Sequence, residues 1–245
     1  MPEPLLALRG VCKSFGAVRS LVDVDLVIAP SSVVGLIGPN GAGKSTLINI
    51  LTGVYQPDSG SVIFGGKDLV GVSTAQRARL GLVRTFQRPS PIVDLSAIEG
   101  VMVGGLVRGL SRTDARAEAQ AHLARLGLRA EAERSPRTLP TGRLKLLDFA
   151  RVLMLRPKLV LLDELMSGLS GGELEIVLDT IDALAAEGIV FLVVEHLMEV
   201  IQRLSRSLVV MDAGSVIAHG PPEQVVRDRR VVEAYLGSDA LATPC

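Results

Sequence analysis

The chain has no tryptophan, and aromatic residues make up only 3% of it. Few rings are available to stack on exposed bases, which argues against a single-stranded nucleic-acid platform. Net charge is lacking too, because 26 Lys and Arg balance 26 Asp and Glu. A neutral chain has no general field that would draw in nucleic acid or an anionic membrane. Cysteine is scarce: Cys12 and Cys245 lie near opposite ends. They form neither a metal spacing nor a disulfide framework, so a reducing compartment is the simplest expectation. No apolar run reaches the roughly 18 residues of a spanning helix, and the opening MPEPLLALRG is too short and interrupted for a signal peptide. Yet 48% of the residues are hydrophobic. A soluble protein is expected, with its apolar excess in a covered surface or in a thick parallel-sheet core.

What is present is an alternation of strands and helices. In VDVDLVI, Val22, Val24 and Leu26 alternate with Asp23 and Asp25, as in a half-exposed strand. VVGLIG (33–38) is apolar without alternation, which suits a strand buried on both faces. Strands are also expected in GSVIFGG and LGLVRTFQ, and from about 88 to 140 the pattern is helical with no strand interrupting it. Alternation then resumes with helix 143–155, strand 158–163, helix 171–186, strand 189–195 and helix 196–205. A hairpin turning at Ala213-Gly214 and one or two final helices close the chain. The expectation is an α/β fold with a mostly parallel sheet. It comprises a single domain over 1–245, with a core at 1–87 and 141–245, an N-terminal antiparallel β part, and an inserted helical subdomain at about 88–140.

Within this frame, Gly38, Pro39, Asn40, Gly41, Ala42, Gly43, Lys44, Ser45 and Thr46 spell GPNGAGKST. This is the full G-x-x-x-x-G-K-[ST] loop, after a strand and before a helix. Glycines let backbone N–H groups turn toward phosphate oxygens without an intervening Cβ. The helix beginning near Lys44 aims its positive end at the same anion. Lys44 supplies charge for the β- and γ-phosphates, and Ser45 supplies an oxygen for Mg²⁺. The second element is LVLLDE, in which Asp163 and Glu164 end an apolar strand. Ligands bind at that edge of an open α/β sheet. Asp163 suits Mg²⁺ held through a water, and Glu164 suits a base for the attacking water. His196 after VVE, and Gln87 in RTFQ, are unremarkable alone; their order along the chain makes them candidates.

Taken in order, Phe15, the loop at 38–46, Gln87, a helical insertion, Asp163-Glu164 and His196 resemble the nucleotide-binding subunit of ABC transporters, a P-loop NTPase, over nearly the whole chain. The resemblance implies that Phe15 stacks on adenine, that Gln87 contacts the metal and the attacking water and links the site to a membrane partner, and that His196 senses the γ-phosphate. It implies ATP and Mg²⁺ as cofactors and a dimer that sandwiches two ATPs, each site completed by the other subunit's signature. It also implies transmembrane permease subunits and, indirectly, a substrate-binding protein, at the cytoplasmic face of the inner membrane. No nucleic-acid partner is expected.

LSGGE (169–173) spells the family signature, but it follows the Asp-Glu strand instead of preceding it. Its own chemistry is a capping box, with Ser170 at the N-cap and Glu173 at N3 of helix 171–186. The signature position falls on Leu139, Pro140, Thr141, Gly142 and Arg143. Leu139 and Gly142 match the family's L-S-G-G-Q; Pro140, Thr141 and Arg143 depart from it. Thr141 and Arg143 offer replacement donors. GLIGPNGAGKST, LGLVRTFQRPSPIVDLSAIEGVMVG and the end GSVIAHGPPEQVVRDRRVVEAYLG resemble the ATPases of branched-chain amino-acid importers. Importers of urea or other amides share this ATPase type. A weakly hydrolysing regulatory subunit is the alternative that the altered signature keeps open. A soluble ATPase of translation or DNA repair would require fused domains, coiled coils or basic patches, none of which is found in the sequence.

Overall fold

A computed structural model of the chain describes residues 3–30, 32–85, 90–92 and 94–236. Gln87 and Cys245 lie outside the described residues. The strands Val33–Ile37 (β3), Leu159–Asp163 (β7) and Val190–Val194 (β8) are buried at every position. Such strands need cover on both faces, and they pair in parallel, β3 with β8 and β8 with β7. Leu82–Arg84 (β6) adds in parallel beyond β7, and Ser207–Asp212 (β9) adds in parallel on the far side of β3. Ser215–Gly220 (β10) closes the edge as an antiparallel hairpin with β9, turning through Ala213 and Gly214. The spatial order is β10-β9-β3-β8-β7-β6.

The alternating N-terminal residues form a separate antiparallel sheet. Leu6–Phe15 (β1) pairs with Val18–Ile28 (β2) and with Ser59–Phe64 (β4), and the two-residue Lys67–Asp68 (β5) edges β4. In β2, Val24 and Leu26 are buried while Asp23 and Asp25 face solvent, as the period of two requires.

The two sheets sandwich the helix Lys44–Thr52 (α1). Leu47, Ile48, Ile50 and Leu51 on α1 share one apolar cluster with Leu6, Leu8 and Val62 of the small sheet and with Val34, Leu36 and Leu192 of the large one. On the opposite face of the large sheet, Val33, Val160, Leu162, Phe191 and Val193 join a second cluster. Its cover comes from Ala97–Val107 (α3), Arg112–Arg125 (α4), Thr141–Leu153 (α5) and Gly171–Ala186 (α6). Among the described residues between β6 and β7 the regular elements are helices and two short 3₁₀ turns, with no strand. The parallel-sheet core takes up much of the apolar composition, while Val18, Val107 and Leu197 are among the apolar side chains left exposed.

The short helix Thr74–Leu80 (α2), closed by a capping box of Ser73 and Gln76, was not legible in the sequence. Its Arg77 is 1% exposed. The guanidinium donates to the carbonyls of Ile50 (2.6 Å), Leu51 (2.8 Å), Leu69 (2.6 Å) and Val72 (2.9 Å). Ile50 and Leu51 belong to the last turn of α1, whose carbonyls have no partner within the helix. Arg77→Met takes a donor from all four carbonyls, while Ile50 keeps the Gly53 N–H (3.1 Å) and Leu69 keeps the Val72 N–H (3.0 Å). The substitution is expected to cost about 3 kcal/mol and to lower Tm by about 6–12 °C, read by thermal denaturation, with Arg77→Lys recovering only part of the loss.

Candidate functional site

Because β3, β8, β7 and β6 run in parallel, their C-terminal ends meet on one edge, and each ends in a polar group. β3 delivers the 38–46 loop, β7 delivers Asp163 and Glu164, β8 delivers Glu195 and His196, and β6 ends at Arg84 and Thr85. The cleft is lined by Ser20, Asn40 to Thr46, Asp163, Glu164, Val194 and His196. The strand ends are cross-tied: Glu164 N–H donates to the Val194 carbonyl (2.9 Å), and Asp163 N–H donates to Thr85 Oγ1 (3.3 Å).

The loop is fixed by close approach. A Cβ on Gly38 would stand 2.1 Å from the Met211 carbonyl of β9, at φ +154°. Gly43 caps α1 with a left-handed backbone (φ 100°), so the helix begins at Lys44. Lys44 is almost fully buried, and its Nζ folds onto the loop's own carbonyls, Gly38 (2.6 Å) and Pro39 (3.0 Å). Burial lowers its pKa, against the raising influence of Glu164 and Asp163. Thr46 Oγ1 lies 2.7 Å from Ser20 Oγ, joining the loop to β2.

Opposite the loop, burial raises the pKa of Asp163, and the charge of Arg84 is the main influence opposing it. The Arg84 guanidinium reaches Asp163 Oδ2 at 3.0 Å and Asn49 Oδ1 on α1 at 2.8 Å. Neither Arg84 nor Asn49 stands out in the sequence. Glu164 has a left-handed backbone, φ 52°, at a cost of roughly 1–2 kcal/mol for a residue with a Cβ. Its Oε1 lies 2.8 Å from His196 Nε2. The loop, both carboxylates and His196 therefore share one cleft.

Other candidates stand elsewhere. Phe15, at the end of β1, is exposed and meets Tyr55 edge-to-face with ring centroids 5.1 Å apart; it is outside the set lining the cleft. Leu139 is buried, Pro140 is the N-cap of α5 without a side-chain cap bond, and Thr141 is exposed. Gly142 faces the Glu173 carboxylate. Arg143 is turned onto its own chain, donating to the Gly127 carbonyl (3.0 Å) and pairing with Glu173 (3.4 Å). None of 139–143 lines this chain's cleft. LSGGE is the start of α6: Ser170 Oγ accepts from Glu173 N–H (3.4 Å), and Glu173 Oε2 accepts from Ser170 N–H (2.9 Å).

The residues fit a nucleotide with a hard divalent cation. They offer oxygen donors and a buried lysine, yet no group of three or more His, Cys, Asp or Glu among the described residues is placed to hold a metal ion. Such a cation would share its coordination with phosphate oxygens, as Mg²⁺ does.

A family model described as "ABC transporter" matches residues 21–167. The chain belongs to the ABC transporter ATP-binding family. A second model, described as "Branched-chain amino acid ATP-binding cassette transporter", matches residues 215–240. The chain is 34% identical to the high-affinity branched-chain amino acid transport ATP-binding protein LivG of Escherichia coli K12, covering 97% of this chain and 99% of that protein. It is 35% identical to BraF of Pseudomonas aeruginosa, with the same coverage. Among solved structures, it resembles a nucleotide-free ATP-binding cassette (TM-score 0.86, 31% identity, 96% of this chain and 100% of that one). It also resembles a cassette in its ADP conformation (TM-score 0.84, 32% identity, 96% and 99%).

Gly38→Ala is expected to abolish nucleotide binding, since its Cβ would meet backbone. At Gly41 (φ +83°) nothing lies within 4 Å of an added Cβ. Gly41→Ala should therefore cost only about 1 kcal/mol of backbone strain. Paired titrations of ADP into the two variants check this.

Proposed function

We propose that this chain is the ATP-binding and hydrolysing subunit of an importer for branched-chain or related amino acids. The observation that carries the reading is the convergence of the 38–46 loop, Asp163, Glu164 and His196 on one cleft. The 215–240 match and the names of the relatives support the substrate class.

In this reading the amides of 38–46 and the end of α1 hold the phosphates. Lys44 exchanges its bonds to the Gly38 and Pro39 carbonyls for phosphate oxygens. Mg²⁺, when bound, neutralises phosphate charge, with Ser45, Asp163 and Gln87 as its protein-side partners. Glu164 takes a proton from the attacking water as its oxygen bonds to the γ-phosphorus. The bond to the bridging oxygen breaks, leaving ADP and phosphate. His196 orients Glu164 through the 2.8 Å contact and contacts the γ-phosphate. Phe15 stacks on adenine, beside Tyr55. Residues 139–143 face the nucleotide of a second ATPase subunit; the Arg143 side chain is held in its own chain, so Thr141 and the amides at the start of α5 act as the donors. No helix among the described residues is long and apolar enough to cross a membrane. Attachment at the cytoplasmic face of the inner membrane therefore falls to the permease subunits, with a substrate-binding protein acting through them.

Glu164→Gln is expected to bind ATP within about threefold of wild type and to hydrolyse it at least about 100-fold more slowly; unchanged hydrolysis would refute the base assignment. The solution mass of this variant with MgATP identifies the partner: a dimer means a second copy completes the site, and a monomer means a different ATPase chain does. A strain lacking the chain should lose leucine uptake and keep urea uptake; the reverse would overturn the substrate class.

A further inference from the structure

Two buried charges stand beside the cleft without a part in the chemistry above. Lys145 on α5 is 8% exposed and Glu195, after β8, is 2% exposed. Lys145 Nζ donates to the carbonyls of Glu164 (2.7 Å) and Ser167 (2.6 Å). Glu195 Oε1 accepts from the N–H of Met166 (2.7 Å). Three backbone groups within four residues are thus gripped by two buried side chains, a lysine and a carboxyl whose pKa burial raises. Glu195 Oε2 is buried with no hydrogen-bond partner among the described residues, and the Lys145 ammonium is the main nearby positive charge acting on this carboxylate.

The gripped segment begins at Glu164, whose left-handed backbone (φ 52°) is strained for a residue with a Cβ. Such a conformation persists only where its surroundings over-determine it. The Glu164 backbone is held by Lys145, and its side chain meets His196, the residue next to Glu195. The far end of the segment is tied to the same helix, since Arg143 pairs with Glu173 (3.4 Å), whose carboxylate caps Ser170. The first turns of α5 therefore hold 164–173 at both ends, and they include residues 141–143 of the 139–143 segment.

We propose that Lys145 and Glu195 form a buried clamp that positions Glu164 for hydrolysis and ties it, through α5, to the 139–143 segment facing the partner's nucleotide. The clamp rests on Glu164 being the base, as argued above. Both residues are positioning residues, since neither lines the cleft.

The test uses the full chain as Lys145→Met, Lys145→Arg, Glu195→Met and Glu195→Gln. ATP affinity is measured by calorimetry, kcat by phosphate release, and folding by thermal melting. Lys145→Met is expected to keep the ATP Kd within about threefold while kcat falls at least about tenfold. Lys145→Arg, which presents several N–H donors, should restore kcat to within about fivefold of wild type. Glu195→Met should fall like Lys145→Met, and Glu195→Gln, which keeps an acceptor for the Met166 N–H, should stay near wild type. Unchanged kcat in both Met variants overturns the clamp, as does a parallel loss of affinity, rate and Tm in them. Should Lys145→Met fail to fold, Lys145→Arg and the two Glu195 variants decide by the same criteria. Normal hydrolysis by Glu164→Gln instead sinks the base assignment, whatever the clamp variants do.

Discussion

Four parallel strands, β3, β8, β7 and β6, end on one edge of the sheet, and the three longest are buried throughout. That register is the constraint on which the rest depends. A parallel strand buried on both faces can present polar groups only where it stops. Its end is also where the backbone must turn back through a helix. The loop 38–46, the Asp163-Glu164 pair and His196 meet because their strands stop together. The Gly38 contact with the Met211 carbonyl shows how closely the loop is seated on its neighbour.

Packing so many ionic groups near a dry sheet would be costly if any were left bare. Lys44 and Asp163, which line the cleft, instead have partners within the chain. Lys44 sits on two carbonyls of its own loop, and Asp163 is held by Arg84, which also reaches Asn49 on α1. At the far end of α1, Arg77 meets the carbonyls of Ile50 and Leu51, so the helix that begins at the 38–46 loop is closed by a cation at its C-terminus.

Much of this was legible in the sequence, where a local pattern carries its own mechanism. The helix at 44–52 starts at Lys44, and α6 starts behind Ser170 with Glu173 at N3, because glycine conformations and capping boxes are decided within a few residues. The misplaced LSGGE could be read as a cap for the same reason. Arg84, Asn49, Lys145 and Glu195 were not legible. Their partners lie 35 residues away for Arg84 and Asn49, 79 for Arg84 and Asp163, and 19 and 29 for the clamp bonds to Glu164 and Met166. The one available signal was Glu195, a charged residue at the end of the apolar run IVFLVV; Lys145 shares LKLLDFARVL with Asp148 and Arg151 and does not stand out. The separate helix α2 escaped because TAQRARL has no apolar period long enough to mark it.

The sequence by itself determined the glycine-rich loop at 38–46, the paired carboxylates at a strand end, the layered α/β order and the caps that begin the helices. These rest on backbone conformation and short-range periodicity, which a few neighbouring residues dictate. Only the tertiary structure decided which charges are buried and what each one holds. It turned Arg143 inward onto Gly127 and Glu173, set Arg84 on Asp163, and closed Lys145 and Glu195 around residues 164–167. The physical reason is desolvation. A charge brought out of water must take the nearest polar group of any element packed against it, and that group is chosen by the packing of distant strands and helices.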